Sequence, residues 1–414
     1  MEKINNFNIK NFGPINEANI DIGKINIIGG HNATGKSTAS KLLYCYLKSN
    51  CSKRQDFAYE SLKSRIFQAL NRLNHDIRYS RKLRNLDIND LLEEYEHSKD
   101  QFYNSNEQEL DKFFDKEIED IDNFIEIIQE NNESLFGSIL TNLLKIEFSA
   151  KGMDSMDNKS EITVSINSAS SSHLPSFDWS KCLFDIYDVF YIDTFSIFDV
   201  DRIPSKLRFR GQGYSDHVDY LKLMLKEGSN ESVELFDEER NKKIIKVENK
   251  IKKIIGGSIE FNRGVFEYSP KNSEPCSMVN TASGIKQIGV IQKLLSNRKL
   301  KEGSFLIIDE PEVNLHPEWQ FKLAEILVIL VKDLDISIYI NTHSPMFIES
   351  MEVFTQYYEL EDFTNFYLTE EFDKNTYNFV KIDYNNLYKI YDNLSRPFDS
   401  IEVYRLKTEY KKDN

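Results

Sequence analysis

The sequence predicts an α/β fold, in which a mixed β-sheet is flanked by helices and interrupted by a helical insertion. Within the first thirty residues, short alternating apolar segments lead through a glycine-rich turn into a helical pattern. A later apolar run, residues 305–308, has the composition of a fully buried strand and ends in two carboxylates. Between them, residues 53–135 lack glycine and proline and carry apolar residues at helical spacing.

The composition is that of a folded protein, with room for two or three packed units in 414 residues. Hydrophobic residues make up 40% of the chain, which is enough to build a sizeable core and excludes wholesale disorder. The net charge is −15, because 67 acidic residues outnumber 52 lysines and arginines. This charge argues against nonspecific wrapping of nucleic acid by the whole molecule, although it leaves room for a local basic groove.

Cysteine spacing and apolar stretches exclude several other classes of protein. The four cysteines are far apart, without a C-x-x-C pair, so neither a zinc site nor a disulfide framework is expected. Residues 1–6 lack the basic start and apolar run of a signal peptide. The longest apolar stretch, Ile326–Val331, is far below the roughly 18 residues that a membrane span needs. We therefore expect a protein of the reducing cytoplasm, with no membrane partner.

Residues 1–50 are expected to form the first half of the α/β core. Apolar positions between Phe7 and Ile28 largely alternate with polar ones and are punctuated by Gly13-Pro14 and Gly23-Lys24. This pattern predicts three short strands joined by tight turns. A helix is predicted over residues 37–47, where several apolar side chains share one face.

Residues 51–140 are expected to form an inserted helical arm with two oppositely charged halves. Residues 53–85 carry nine basic and three acidic side chains, whereas residues 87–133 carry three basic and seventeen acidic ones. The halves are expected to pair as antiparallel helices with a solvated acidic face. The alternative is a binding role, with a basic partner on the acidic half or nucleic acid on the basic half.

Residues 141–200 are expected to supply strands that return to the core. Alternation begins at Ile146 and Phe148 and continues over residues 162–166, and Asp188–Ile192 has the composition of a buried strand.

Residues 201–270 are expected to form a helical lid and a hairpin. A basic loop over 201–217 precedes a helix over 231–255, which Gly256-Gly257 stops, and a hairpin is predicted over 258–268. One face of the helix is basic, and a solvated face is favoured over a binding face. Its lysines are Lys242, Lys243, Lys246, Lys250, Lys252 and Lys253.

Residues 271–350 are expected to complete the core, and residues 351–414 to form a small C-terminal cap. In this cap, Thr364–Tyr367 and Tyr377–Ile382 could pair as strands at the edge of the sheet.

The strongest functional signal is a complete G-x-x-x-x-G-K-[ST] pattern that follows an apolar strand and opens a helix. Its glycines let the backbone fold around a phosphate group, so that N–H groups and the helix N-terminus point at the anion. Lys36 is expected to reach the β- and γ-phosphates, and Ser37 to give its hydroxyl to Mg²⁺. The predicted nucleotide-binding residues are Gly30, His31, Asn32, Ala33, Thr34, Gly35, Lys36, Ser37 and Thr38.

A carboxylate pair follows the predicted strand over residues 305–308. Such a pair lies beside the phosphate loop when both strands belong to one sheet. Asp309 is then expected to hold Mg²⁺ directly or through water, and Glu310 to polarise the attacking water. On its own, an acidic pair after a strand is also explained by a helix N-cap, so its weight comes from the phosphate loop.

Two weaker motifs complete the set. His343 directly follows a predicted strand over 336–340, where it can contact the γ-phosphate; a loop histidine bound to backbone is the alternative. Ser283 and Gly284 open a predicted helix and offer a hydroxyl and backbone amides as a second anion site, although a plain N-cap also explains them.

In this order, the four motifs resemble those of the ABC-type ATPase head shared by SMC, RecF and OLD-like proteins, over residues 1–50 and about 280–350. The resemblance identifies residues 30–37 as Walker A, 305–310 as Walker B, Ser283-Gly284 as the signature and His343 as the switch histidine. It implies a P-loop NTPase fold that uses ATP and Mg²⁺, with Glu310, His343 and Lys36 as catalytic residues. Ile285 stands where transporter signatures have a second glycine. No Q-loop residue is identified.

The stretch Asp309–Pro317 is similar to the DEPExxLHP form of OLD-like and anti-phage defence ATPases, such as those of Septu, PARIS and retron-linked systems. This resemblance implies that ATP joins two heads into a homodimer or higher oligomer, and that the ATPase controls a separate effector protein. OLD proteins proper carry a Toprim nuclease with a D-x-D set, which the 71 residues after His343 lack. The chain is therefore not expected to be a nuclease.

Two alternative functions stay open at the level of sequence. The first is a DNA-repair or chromosome-maintenance ATPase of RecF or SMC type, which long coiled coils would support. Residues 53–135, however, allow arms of only about 60 Å at about 1.5 Å per residue. An ATP-gated sensor or scaffold would bind nucleotide without turnover, and it would not need Glu310.

Overall fold

The structure is a computed structural model of the chain. It describes residues 4–53, 88–104, 161–166, 186–193, 196–198, 217–226, 238–262 and 264–412, together with residue 228 and short stretches between 57 and 148. Three predicted segments lie outside the described residues: residues 201–216 of the basic loop predicted over 201–217, the basic residues at 78–84, and the start of the helix predicted from 231.

A nine-stranded mixed sheet forms the centre of the fold. In space its strands follow the order β4-β1-β2-β12-β11-β3-β10-β9-β5. In chain order they are β1 (Ile4–Phe12), β2 (Ile15–Ile20), β3 (Ile25–Gly29), β4 (Glu161–Ile166), β5 (Val189–Ile192), β9 (Phe305–Asp309), β10 (Ser337–Thr342), β11 (Thr364–Asp373) and β12 (Thr376–Ile382), with β6 to β8 forming a second sheet.

Five neighbouring strands of this sheet, β11, β3, β10, β9 and β5, run parallel to one another. Residues of β3, β5 and β9 are buried throughout, which explains their continuous apolar sequences, since parallel strands are covered on both faces. The carboxyl ends of all five strands open at one edge of the sheet. The predicted mixed sheet flanked by helices is confirmed, as are the three strands predicted before residue 30.

Eight helices are described. They are α1 (Lys36–Asn50), α2 (Ile88–Asn104), α3 (His217–Lys226), α4 (Glu238–Ile255), α5 (Ser283–Ser296), α6 (Pro317–Leu334), α7 (Pro345–Tyr357) and α8 (Tyr388–Lys412). Both α6 and α7 begin with proline after a capping side chain, His316 and Ser344 respectively. Among the described residues, no helix has the length and apolar character to cross a membrane.

The smaller sheet contains three antiparallel strands, β6 (Gly257–Asn262), β7 (Val265–Pro270) and β8 (Cys276–Ser277). Its first two strands form the hairpin predicted over 258–268. The described part of the helix predicted over 231–255 is α4, which buries Ile244, Val247 and Ile251 along one stripe.

The chain divides into two compact units. The first comprises residues 1–44, 156–200 and 221–414 and contains both sheets; the second comprises residues 45–155 and 201–220. In the second unit α2 buries Leu91 and Tyr95, and Lys99 pairs with Asp122. From residue 57 to residue 140, the described residues of the predicted arm are helical.

The predicted C-terminal cap is wrong. β11 and β12 pair antiparallel, as predicted, but they lie between β2 and β3 in the middle of the sheet rather than at its edge. Thr364 to Leu368 align with Ile25 to Gly29 of β3, and Phe366, Tyr367 and Leu368 are buried. Residues 364–382 are therefore part of the core that residues 1–50 begin.

Of the strand predicted around Ile146 and Phe148, Ile146 lies outside the described residues, and Phe148 is not in a strand. Leu143, Leu144 and Glu147 are helical, and Phe148 N donates to Leu144 O at 3.1 Å, a helical interval. Buried Ile139, Leu140, Leu143 and Leu144 recur at helical spacing, and this longer pattern outweighs two alternating residues. The strand predicted over 162–166 is confirmed as β4, which pairs with β1.

Candidate functional site

The glycine-rich loop joins the end of β3 to the start of α1. It therefore lies at the edge of the sheet where the parallel strands end, with the N-terminus of α1 facing the same space. Ala33 and Gly35 have left-handed backbones, with φ of 63° and 93°. His31, Asn32, Ala33 and Ser37 are exposed, so the outer rim of the loop is open to a ligand.

Two glycines of this loop have a steric reason to be glycine. A Cβ atom on Gly30 would lie 1.8 Å from Thr369 Oγ1, and one on Gly35 would lie 2.6 Å from Ile15 Cγ1. Thr369, on β11, also donates its hydroxyl to Thr34 Oγ1 at 2.9 Å. β11 therefore packs directly against the glycine-rich loop.

Lys36 is buried beneath this loop. Its ammonium donates to Gly30 O at 2.8 Å and to His31 O at 2.6 Å. Burial lowers the pKa of Lys36, while the nearby charges of Glu310, Asp309 and Glu312 act to raise it. The loop thus holds a partly desolvated cation with three carboxylates nearby.

Asp309, the last residue of β9, is buried and accepts several hydrogen bonds. Oδ1 accepts from Asn341 Nδ2 at 2.6 Å and from Ser40 Oγ at 2.9 Å, and Oδ2 accepts from the Tyr191 hydroxyl at 2.8 Å. Burial raises the pKa of Asp309, whereas hydrogen bonds from Ser37, Tyr191, Ser40 and Asn341 lower it. Ser37, predicted from a distant part of the sequence, lies close enough to Asp309 to act on the pKa of its carboxyl.

Three residues of this network were not predicted from the sequence. Ser40 lies one helical turn after Ser37, and Asn341 pairs with Asp309 in register across β10 and β9. Both had a sequence signal, since each stands three residues or fewer from a predicted site residue. Tyr191 on β5 had none, because its approach to Asp309 depends on β5 lying beside β9.

Glu310 and His343 lie close together at the same edge. His343 Nδ1 is 3.8 Å from Glu310 Oε1, and both side chains are more than one third exposed. Glu310 has a left-handed backbone with φ of 50°, and its N–H donates to Asn341 O at 2.8 Å. A left-handed non-glycine residue costs on the order of 1 kcal/mol and recurs at functional sites.

Glu312 organises the turn that carries His343. Its buried Oε1 accepts from Thr342 Oγ1 at 2.7 Å, His343 N at 2.8 Å and Ser344 N at 3.1 Å, and lies 3.2 Å from His343 Nδ1. Within the described part of the chain, Glu312 Oε2 has no hydrogen-bond partner. Glu312 belongs to the Asp309–Pro317 motif, but it was not among the predicted site residues.

The predicted signature residues begin α5 and contact the turn that follows Glu310. Ser283 Oγ donates to Asn314 O at 2.6 Å, and Gln287 Nε2 donates to Val313 O at 2.6 Å. A Cβ on Gly284 would meet the Trp319 ring at 2.8 Å, so α5 and α6 approach closely here. The Ser283 hydroxyl thus bonds within this turn, not to the loop over residues 30–37.

Comparison with known proteins gives a family match over most of the chain. The family described as AAA ATPase domain matches residues 2–348. This range contains the glycine-rich loop, Asp309, Glu310 and His343, and it ends within α7. No curated protein sequence matches the chain.

Several solved structures are similar to the chain at low identity. An SMC head domain from Thermotoga maritima has 10% identity and a TM-score of 0.39, covering 92% of this chain and 99% of that one. An SmcHead bound to the C-winged helix domain of ScpA has 13% identity and a TM-score of 0.39, covering 94% and 99%. An Smc head domain from Pyrococcus furiosus, bound to the C-terminal domain of ScpA, has 10% identity and a TM-score of 0.37, covering 95% and 100%.

Proposed function

The chain belongs to the AAA ATPase domain family, and from this premise we propose that it binds Mg²⁺-ATP and hydrolyses it to ADP and phosphate. One observation carries the proposal. A buried lysine in the glycine-rich loop, a buried aspartate bonded to Ser40 of the helix that follows this loop, and a glutamate beside a histidine meet at one edge of the sheet. These are the parts that phosphoryl transfer requires.

The residues at this edge fit a nucleotide with its metal. The left-handed backbone at Ala33 and Gly35 turns the loop around an anion, and Lys36 offers a cation at its centre. Ser37 and Asp309 offer oxygen atoms, the ligands that Mg²⁺ prefers. When bound, Mg²⁺ neutralises charge on the transferring phosphate.

The chain itself supplies positioning and proton handling. Lys36 holds the phosphates, and Glu310 orients the attacking water and accepts its proton. His343 contacts the transferring group, and Glu312 fixes the turn on which His343 lies. The hydrogen bonds from Tyr191, Ser40 and Asn341 hold the Asp309 carboxylate in one orientation.

We further propose that two heads associate around ATP, with Ser283 and Gly284 of one subunit completing the site of the other. Support comes from the exposure of Ser283 at the turn after Glu310, where Val313 is also exposed. A cytoplasmic role in which the dimer controls a separate effector, as in phage-defence modules, rests on the similarity of Asp309–Pro317 to the ATPases of those systems.

Phosphate release from ATP by the purified protein tests the proposed hydrolysis. Lys36→Ala removes the phosphate-binding cation and is expected to abolish phosphate release and to weaken nucleotide binding at least about tenfold. Lys374→Ala is the matched control, since Lys374 is exposed in the turn between β11 and β12. Equal rates in all three proteins would overturn the proposed activity.

A further inference from the structure

A second feature of the first unit is a groove that runs along α4 and α6. Its volume is about 960 Å³, and its lining includes none of the candidate-site residues. Binding in this groove can therefore be tested separately from nucleotide hydrolysis.

The groove is basic although the protein is acidic. Five lysines and one aspartate line it: Lys242, Lys246, Lys250, Lys253, Lys332 and Asp333. Four of these lysines recur on one face of α4 over about 16 Å of helix, at about 1.5 Å per residue. This local charge stands against a net charge of −15 for the chain.

Internal ion pairs neutralise only part of this charge. Lys250 Nζ lies 2.6 Å from Glu325 Oε1, a close pair. Lys246 Nζ lies 3.6 Å from Asp333 Oδ2, and its side chain is 79% exposed, so this pair is weak. Lys253 is exposed on the next turn of the helix and retains its capacity for an external anion.

The floor of the groove is apolar. Ile245, of which 45% is exposed, lines the groove together with Val247, Ile329 and Tyr358. Covering this apolar surface with apolar side chains of a partner would be favourable. The groove therefore combines an apolar strip with a cationic rim.

From this combination we propose that the groove binds an acidic amphipathic helix of a partner protein. Apolar side chains of that helix would cover Ile245 and Tyr358, and its carboxylates would pair with Lys246 and Lys253. Charge complementarity of this kind steers association and fixes orientation. A nucleic-acid backbone would use the lysines but leave Ile245 uncovered, so the peptide accounts for more of the observed surface.

Fluorescence anisotropy with a synthetic helix tests the proposal on the full-length protein. The probe is a fluorescein-labelled peptide of about sixteen residues, with leucine at helical spacing and glutamate elsewhere. Lys246→Glu combined with Lys253→Glu is expected to weaken binding at least about tenfold, and added salt is expected to weaken binding to the wild type. The matched control is Lys243→Glu combined with Lys271→Glu, two exposed lysines outside the groove lining, with an expected change below about twofold.

Three results would overturn this assignment. One is the absence of peptide binding to the wild type at millimolar concentration. Another is equal binding of a poly-glutamate peptide without leucine, because the apolar floor would then have no part. The third is displacement of the peptide by single-stranded DNA at lower concentration through the same two lysines, which would make the groove a nucleic-acid surface.

Discussion

At the level of single residues, Asp309 shows how the site balances burial against hydrogen bonding. Burial raises the pKa of this carboxyl, and an unsatisfied buried carboxylate is costly. Donors from three other elements, Tyr191 on β5, Ser40 on α1 and Asn341 on β10, offset that cost. These hydrogen bonds hold the aspartate in place at the carboxyl end of β9.

Tyr191→Phe tests this network, because it removes one donor while keeping the ring. Loss of the hydroxyl leaves Asp309 Oδ2 less well satisfied, which is expected to lower the free energy of unfolding by about 1–3 kcal/mol. The concentration of Mg²⁺ needed for half-maximal phosphate release is also expected to rise. Urea unfolding and a Mg²⁺ titration measure the two effects. An unchanged Mg²⁺ requirement would show that Tyr191 does not position Asp309.

Glu312→Gln tests the turn that carries His343. A glutamine can still accept the backbone hydrogen bonds of His343 and Ser344, but it removes the negative charge 3.2 Å from the imidazole. Phosphate release is expected to fall about tenfold, with ATP affinity changed by less than about twofold. Glu361→Gln, at an exposed position, is the control. A matching loss of affinity would instead assign Glu312 to nucleotide binding.

At the level of secondary structure, the unexpected feature is the hairpin of β11 and β12. These strands lie between β2 and β3 in the sheet. Among the described strands, β1, β2 and β4 therefore reach the parallel part of the sheet through this hairpin. Thr369 of β11 also packs against Gly30. The C-terminal hairpin is thus needed both for the sheet and for the shape of the loop.

A chain that ends at residue 350 is expected to lose cooperative folding. Removing β11 and β12 leaves the edges of β2 and β3 that face this hairpin without partners, and it separates the N-terminal strands from the parallel part of the sheet. Urea unfolding followed by circular dichroism tests this expectation. A chain that ends at residue 404 removes only the last residues of α8 and is expected to unfold like the full chain. A cooperative transition in the shorter chain would show that the hairpin is dispensable.

The sequence predicted those elements whose signal is a pattern of residues close together in the chain. The strand, loop and helix around Lys36, and the strand ending at Asp309, each carry their signal within about fifteen residues. The central position of β11 and the approach of Tyr191 depend on strand order, which pairs residues far apart in the chain and leaves no local pattern. The short alternation at Ile146 and Phe148 failed because two residues cannot distinguish the two periods.

At the level of the whole molecule, one unit carries both the candidate site and the basic groove. The family match extends over residues 2–348, yet the sheet is completed only by residues 364–382. The proposed hydrolysis and the proposed docking of an acidic helix use separate residues, so each can fail without the other. The candidate nucleotide site and the proposed partner surface therefore lie on one compact unit.

Single-turnover phosphate release by Glu310→Gln is the first measurement to make, because it shows whether this site hydrolyses ATP through Glu310. The substitution keeps the size of the side chain and removes its ability to accept a proton. We predict that the variant retains ATP at wild-type affinity, slows phosphate release at least about a hundredfold, and forms a larger ATP-dependent species by light scattering. Phosphate release at the wild-type rate by Glu310→Gln would show that Glu310 is not needed for hydrolysis.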